Sequence, residues 1–199
     1  MKTIEFWFSI GSTYTYLTVM RLEDVARDAG LRFDWRPFSV RVLMQEMDNL
    51  PFVGKPAKER YMWRDLARRA ARYGLPMHLP VDYPLQAFDR ANRVAIVGRE
   101  EGWCADYTRN AYRLWFRDGL PAGGEDNLRA SLRAAGQDAG RVLGRADSAE
   151  TTAAYESATD RARALGIFGS PTFVVDGSEL FWGDDRLEDA IEFARQKDA

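Results

Sequence analysis

One cysteine, Cys104, and one histidine, His78, stand among 199 residues. A single cysteine excludes an intramolecular disulfide and any two-cysteine redox or zinc motif. A single histidine, with that cysteine far away in sequence, argues against a His-cluster metal centre, and no metal site is expected. An excess of one charge is missing too: 28 Lys+Arg face 30 Asp+Glu, a net charge of −2. That balance offers no field to hold a phosphate backbone, so nucleic acid is not an expected partner. No apolar run approaches the roughly 20 residues of a membrane span. The stretch Ile4-Glu5-Phe6-Trp7-Phe8 is broken by a glutamate and too short for a secretion signal. The expectation is a cytoplasmic globular protein with no membrane partner. Its chemistry must come from hydroxyls, carboxylates, arginines, backbone dipoles or a borrowed cofactor.

What is present falls into three blocks. Thr3 to Ser9 is β-branched and aromatic and reads as a strand. From Tyr14, the positions Leu17, Met20, Val25 and Ala26 give a helical face that Gly30 closes. Leu31 to Trp35 alternates Leu31, Phe33 and Trp35 inward with Arg32 and Asp34 outward, a second strand stopped by Pro37. Two strands around one helix predict a parallel pair with a right-handed crossover. About 120 helical residues follow, with helices expected over 57–73, 85–103, 107–117, 125–135, 139–144 and 149–166. The last block predicts a hairpin, Thr172–Asp176 and Glu179–Trp182 around Gly177-Ser178, then a helix opening at Gly183-Asp184-Asp185. The expected architecture is α/β: a four-stranded mixed, thioredoxin-like sheet split by a large all-helical insertion. The boundaries drawn are 1–37 plus 157–199 for the thioredoxin-like domain and 38–156 for the insertion.

Three fragments can carry chemistry. In Ile10-Gly11-Ser12-Thr13-Tyr14-Thr15, a helix starts just after a strand, where this architecture elsewhere places two cysteines. Ser12 and Thr15 hold the two positions. The helix N-terminus offers unpaired N–H groups and partial positive charge, which lower the pKa of a thiol there. Ser12 therefore reads either as the N-cap of the helix or as a hydroxyl that holds a thiolate brought by a bound molecule. In Gly169-Ser170-Pro171-Thr172, a proline directly before a strand reads as cis, leaving the Ser170 N–H and C=O free to pair with an extended peptide. In Trp182-Gly183-Asp184-Asp185, two carboxylates at a helix start either cap it or receive an ammonium group.

At this point the chain resembles the 2-hydroxychromene-2-carboxylate isomerase family, which is DsbA-like and related to kappa-class glutathione transferases. The likeness rests on Phe6 to Ser12 with Tyr14 and Tyr16-Leu17, on Asp48-Asn49-Leu50-Pro51, on Asp65-Leu66-Ala67-Arg68, on Tyr73-Gly74-Leu75-Pro76, and on Gly169 to Gly177 through Phe181 to Leu187. The resemblance implies a DsbA/kappa-type fold and glutathione as the cofactor. It implies that Ser12 is catalytic and contacts the glutathione sulfur. Ser170 and Pro171 would pair with the tripeptide, and Trp182, Gly183, Asp184 and Asp185 would hold its γ-glutamyl end. Asn49, Leu50 and Tyr83 would face the substrate, a small aromatic carboxylate, and the family state would be a homodimer. The implied reaction interconverts 2-hydroxychromene-2-carboxylate and trans-o-hydroxybenzylidenepyruvate in aromatic hydrocarbon catabolism. The alternatives are a kappa-like transferase acting on another electrophile and a non-catalytic thioredoxin-fold binding protein. One departure sits on the substrate side: Phe52 follows Pro51 where the family loop carries a second proline.

The remaining candidates have plainer readings. Cys104 reads as a small buried hydrophobe and His78 as a structural loop residue. Arg64, Arg68 and Arg72 share a helix face that is solvated, or that offers one arginine to a substrate carboxylate. Trp7, Phe8, Phe52 and Trp182 are candidate walls of an aromatic cavity.

Overall fold

The computed structural model describes residues 2–196. Residue 1 and residues 197–199 of the expected terminal segments lie outside the described residues. The chain opens with β1 (Thr3–Phe8), α1 (Thr15–Ala29) and β2 (Arg32–Pro37). Seven helices follow: α2 (Val40–Glu46), α3 (Pro56–Arg72), α4 (Phe88–Glu101), α5 (Cys104–Asp118), α6 (Glu125–Ala134), α7 (Ala139–Ala146) and α8 (Ala149–Ala164). The chain then forms β3 (Thr172–Val175), β4 (Glu179–Trp182), a single 3-10 turn (Asp184–Arg186) and α9 (Leu187–Gln196). The sheet order is β2-β1-β3-β4, with β1 parallel to β2 and antiparallel to β3, and β4 antiparallel to β3. This is the expected four-stranded mixed sheet with its helical insertion. β2 runs on to Pro37, which pairs with Phe8. An edge strand tolerates a proline at its end because its outer side carries no ladder.

The period-two pattern of β1 assigns its side chains to opposite faces of the sheet. Ile4, Phe6 and Phe8 point into the main core. There Phe6 stacks on Phe8 at 5.2 Å and on Phe173 at 5.6 Å and meets the edge of Trp35 at 4.9 Å. Trp7 points the other way, into a smaller cluster with Phe38, Leu43 and Val174. Trp7 and Phe8 are both fully buried. The expectation that they wall a substrate cavity is therefore corrected: each fills one side of the sheet. The hairpin turn also differs, because Asp176 joins Gly177 in the left-handed region, at φ 51° and 76°.

Helix ends follow the local chemistry. Gly30 closes α1 at φ 67°, as expected. Ser39, Asp138 and Ser148 cap α2, α7 and α8 through their side chains. Only Gly102 and Trp103 separate α4 from α5. The main core continues from the sheet into the insertion through Ala91, Val94, Tyr107, Trp115, Leu128 and Val142. Residue 157, where the boundary was drawn, lies within α8. Among the described residues no helix is long and apolar enough to cross a membrane.

Gly98 is where α4 and α5 meet most closely. A Cβ there would lie 2.8 Å from the Trp103 ring and 3.0 Å from the Cys104 Cα. Helix propensity alone favours alanine by about 1 kcal/mol, while overpacking costs about 1–3 kcal/mol. Because one of the obstructing atoms is backbone, packing dominates. Gly98→Ala is expected to lower the urea midpoint, and a raised midpoint would show that the Trp103 ring yields freely.

Candidate active site

The segment between β1 and α1 is held by the insertion. Asn92, fully buried in α4, accepts the Ile10 N–H at 2.8 Å and donates to the Ile10 carbonyl at 3.0 Å and the Phe88 carbonyl at 2.8 Å. The Tyr112 hydroxyl on α5 lies 3.0 Å from both the Ser9 and the Ser12 carbonyl oxygens. Gly11 sits at φ 121°, with Phe88 Cβ 3.4 Å from where its own Cβ would be. The loop is thus immobilised by buried polar groups whose partners are backbone atoms.

Ser12 does not cap the helix. The N-cap of α1 is Tyr14, and no side chain caps it. Ser12 Oγ instead donates to the Ser170 carbonyl at 2.7 Å. The first turn of α1 contains no acidic residue. The N–H groups of Thr13, Tyr14 and Thr15 carry no hydrogen bond among the described residues. A helix N-terminus left this way attracts an anion.

The Ser170–Pro171 peptide is cis, as expected. The Ser170 side chain is an anchor: its Oγ accepts the Ser9 N–H at 2.9 Å and lies 2.9 Å from Thr15 Oγ1. The Ser170 carbonyl, expected to be free for a peptide, is taken by Ser12, the nearest hydroxyl donor. The Ser170 N–H carries no hydrogen bond among the described residues. Beside it, Trp182 is half exposed and meets Phe168 edge-on at 4.9 Å. A Cβ at Gly169 would come within 2.1 Å of Trp182 Nε1, so only glycine lets that indole lie against the loop.

The two carboxylates after Gly183 diverge. Asp184 is buried; its Oδ1 accepts from Thr18 Oγ1 at 2.9 Å and from Arg21 at 3.1 and 3.2 Å. Arg21 also pairs with Glu188. Burial pushes the Asp184 carboxyl above the usual carboxylate range, against the pull of Arg21 and Thr18. Its Oδ2 is buried without a hydrogen-bond partner. Asp185 is exposed, 3.7 Å from Arg69 and 3.5 Å from Arg186. Both carboxylates therefore have cations, but Asp184 is enclosed with Arg21 whereas Asp185 is accessible from outside.

On the opposite side, Asn49 is exposed and Leu50 half-buried in the loop between α2 and α3. Tyr83 is half-buried between Phe52 at 5.9 Å and Trp63 at 5.4 Å, and burial raises its hydroxyl pKa to about 12. Arg68 and Arg69 are tied to Asp65, which also accepts the Tyr14 hydroxyl at 2.9 Å. His78 is a loop anchor, with its N–H on the Phe116 carbonyl and its ring on the Arg117 carbonyl. Cys104 is buried, and burial pushes its thiol pKa up to about 12, which keeps it protonated and inert. Asn92 and Tyr112 have no counterpart among the sequence-based candidates, whereas Thr15 does. The available signal is faint: Asn92 falls on the buried face of α4 shared by Phe88, Ala91 and Ala95, amid the charged residues Asp89, Arg90 and Arg93.

A family model for the DSBA-like thioredoxin domain matches residues 3–192. A protein of Sphingobium xenophagum named 2-hydroxychromene-2-carboxylate isomerase is 28% identical over 189 residues, which is 94% of this chain and 95% of that protein. Glutathione S-transferase kappa 2 of Caenorhabditis elegans is 26% identical over 209 aligned residues, covering 96% of this chain and 91% of that one. A solved structure of a 2-hydroxychromene-2-carboxylate isomerase superposes with a TM-score of 0.86 at 25% identity, covering 98% and 97% of the two chains.

Asn92→Leu strands the Ile10 N–H and C=O in a buried setting, at about 1–3 kcal/mol for each unsatisfied group. A stability loss of about 2–4 kcal/mol is expected in chemical denaturation, against about 1 kcal/mol for Tyr112→Phe. Equal, small losses would show that the loop is held by packing and not by these bonds.

Proposed function

The chain belongs to the family of DsbA-like thioredoxin domains, and within it we propose a glutathione-dependent isomerase that interconverts 2-hydroxychromene-2-carboxylate and trans-o-hydroxybenzylidenepyruvate. Disulfide exchange has no chemistry here, because the sequence holds one cysteine and that cysteine is buried. The observation that carries the reading is the Ser12 hydroxyl, 2.7 Å from the carbonyl before cis-Pro171, at the start of a helix with free N–H groups. Names of full-length relatives support it: two isomerases, from Sphingobium xenophagum and Pseudomonas putida, and one kappa-class glutathione transferase.

The residues present fit glutathione. The Ser170 N–H is free for an extended peptide. Asp185 is exposed beside Arg69 and Arg186 and would exchange one of these for the ammonium group of the γ-glutamyl end. Ser12 and the first turn of α1 offer donors to an anionic sulfur. When bound, glutathione supplies a thiolate that can add reversibly to a conjugated double bond and let it rotate. Ser12 has one proton, now placed on the Ser170 carbonyl. Turning that proton toward the sulfur stabilises the anion and frees the Ser170 carbonyl to accept an N–H from the tripeptide. The α1 dipole adds to the same stabilisation. Trp182, packed edge-on against Phe168, would line the γ-glutamyl end, and Tyr83 with Phe52 would present an aromatic surface to the substrate. Reduced glutathione is a cytosolic ligand, and on that ground we place the protein in the cytoplasm.

Isomerisation is expected to need glutathione only in catalytic amount. Ser12→Ala removes a hydrogen bond to a charged group and should slow turnover about 10- to 100-fold. Because that bond favours the thiolate, its loss raises the thiol pKa, and the acid limb of the pH–rate profile should move to higher pH. Stoichiometric consumption of glutathione as a conjugate would favour a transferase. An unchanged melting temperature in about 10 mM glutathione would overturn both enzymes.

A further inference from the structure

Arginines near the candidate site are either neutralised by a carboxylate or, like Arg64 and Arg72 on α3, unpaired among the described residues but exposed. Arg21 pairs with Asp184 and Glu188. Arg68 and Arg69 pair with Asp65, and Arg163 pairs with Glu46. Arg41, in the first turn of α2, is different. It is half-buried and forms no ion pair among the described residues, and one terminal nitrogen donates to the Leu85 carbonyl at 3.3 Å. Its guanidinium carbon lies 3.8 Å from the centre of the Phe88 ring. A planar guanidinium stacked on an aromatic face is fixed in orientation and keeps its edge donors free.

The position of that ring matters. Phe88 lies against Gly11, the residue before Ser12, with its Cβ 3.4 Å from the place of a glycine Cβ. The Arg41 charge also acts on the Tyr83 hydroxyl, which packs against Phe52 in the 49–52 loop. One half-buried cation thus lies on Phe88, acts on Tyr83, and is linked through Phe88 to the segment leading to Ser12. The root of α2 is fixed as well: the Phe38 N–H bonds the Phe8 carbonyl at 3.0 Å, and the Ser39 N–H bonds Thr159 Oγ1 at 3.0 Å.

We propose that Arg41 binds the carboxylate of the aromatic substrate, with the Phe88 face beneath it and Ser12 beyond Gly11. The proposal rests on the isomerase reading for the identity of the substrate. An arginine edge meets a carboxylate through two parallel N–H···O bonds, which a neutral amide cannot reproduce. Arg41 therefore sets specificity for conjugated aryl acids over their neutral analogues. On α3, the face formed by Arg64, Arg68 and Arg72, the sequence-based candidate for this role, is exposed, and Arg68 is tied to Asp65.

The test is calorimetric binding of trans-2-hydroxycinnamate and its primary amide to the ligand-free protein. Wild-type protein should prefer the acid by about tenfold or more. Arg41→Met should bring the ratio near one, Arg41→Lys should keep part of it, and Arg68→Met, which removes an equal charge on α3, should leave it unchanged. Melting temperatures confirm that each variant is folded. An undiminished preference in Arg41→Met, or no preference in the wild type, overturns the proposal. Glutathione is titrated separately against wild type and Arg41→Met. Loss of its binding in the wild type would defeat the isomerase reading and would leave the acid-to-amide ratio as an independent result.

Discussion

Ser12 Oγ and the Ser170 carbonyl meet at 2.7 Å although the two residues are 158 positions apart. The architecture of the sheet is what makes that contact. β1 and β3 are neighbours in antiparallel register, Trp7 opposite Thr172 and Phe6 opposite Phe173, so the end of β1 and the start of β3 share one edge. The chain leaves β1 through Ser9 and enters β3 through Ser170, and the Ser170 side chain bonds the Ser9 N–H. Two short irregular segments, neither stable alone, are thereby fastened to each other and to the first turn of α1 through Thr15. Free N–H groups, the serine hydroxyl and the open Ser170 N–H all converge there because of this junction.

The helical insertion does more than cover the sheet. It supplies Asn92 and Tyr112, whose polar atoms reach the backbone of residues 9–12 from the opposite side. Burying an amide and a phenol in apolar helices is costly unless each polar atom finds a partner. Here the partners are the backbone groups that a tight loop leaves unpaired. The cost and the need offset one another, and the loop becomes rigid. On the proposed reading the rigidity favours an anionic sulfur, because preorganised donors need no rearrangement when charge arrives.

Charge around the site is divided by burial. Arg21 and Asp184 are drawn inside, where their pairing and the Thr18 hydrogen bond tie α1 to the turn before α9. Asp65 collects Tyr14, Arg68 and Arg69 at the margin. Asp185 is exposed, paired with Arg69 and Arg186, and Arg41 is half-buried against Phe88 without an ion pair among the described residues.

The sequence by itself determined the strands, the mixed sheet and its helical insertion, because period-two alternation, glycine caps and β-branched runs are local properties that packing reinforces. It marked Ser12, Pro171 and the Asp184-Asp185 pair for the same reason: each sits at a junction between elements, and junctions are legible from the chain. It left open how those residues are used. Ser12 was as plausible a cap as a donor until the sheet brought the Ser170 carbonyl to it. Asp184 and Asp185 are adjacent in sequence, yet a 3-10 turn buries one and exposes the other. Trp7 and Phe8 were counted together as cavity walls, yet alternation and the helices on both faces bury each on its own side. Asn92, Tyr112 and Arg41 were invisible in this sense, since a buried amide, a phenol and an unpaired guanidinium acquire meaning only from what lies opposite them. Hydrogen bonds and ion pairs between distant segments depend on distance and burial, and only the tertiary structure decides those.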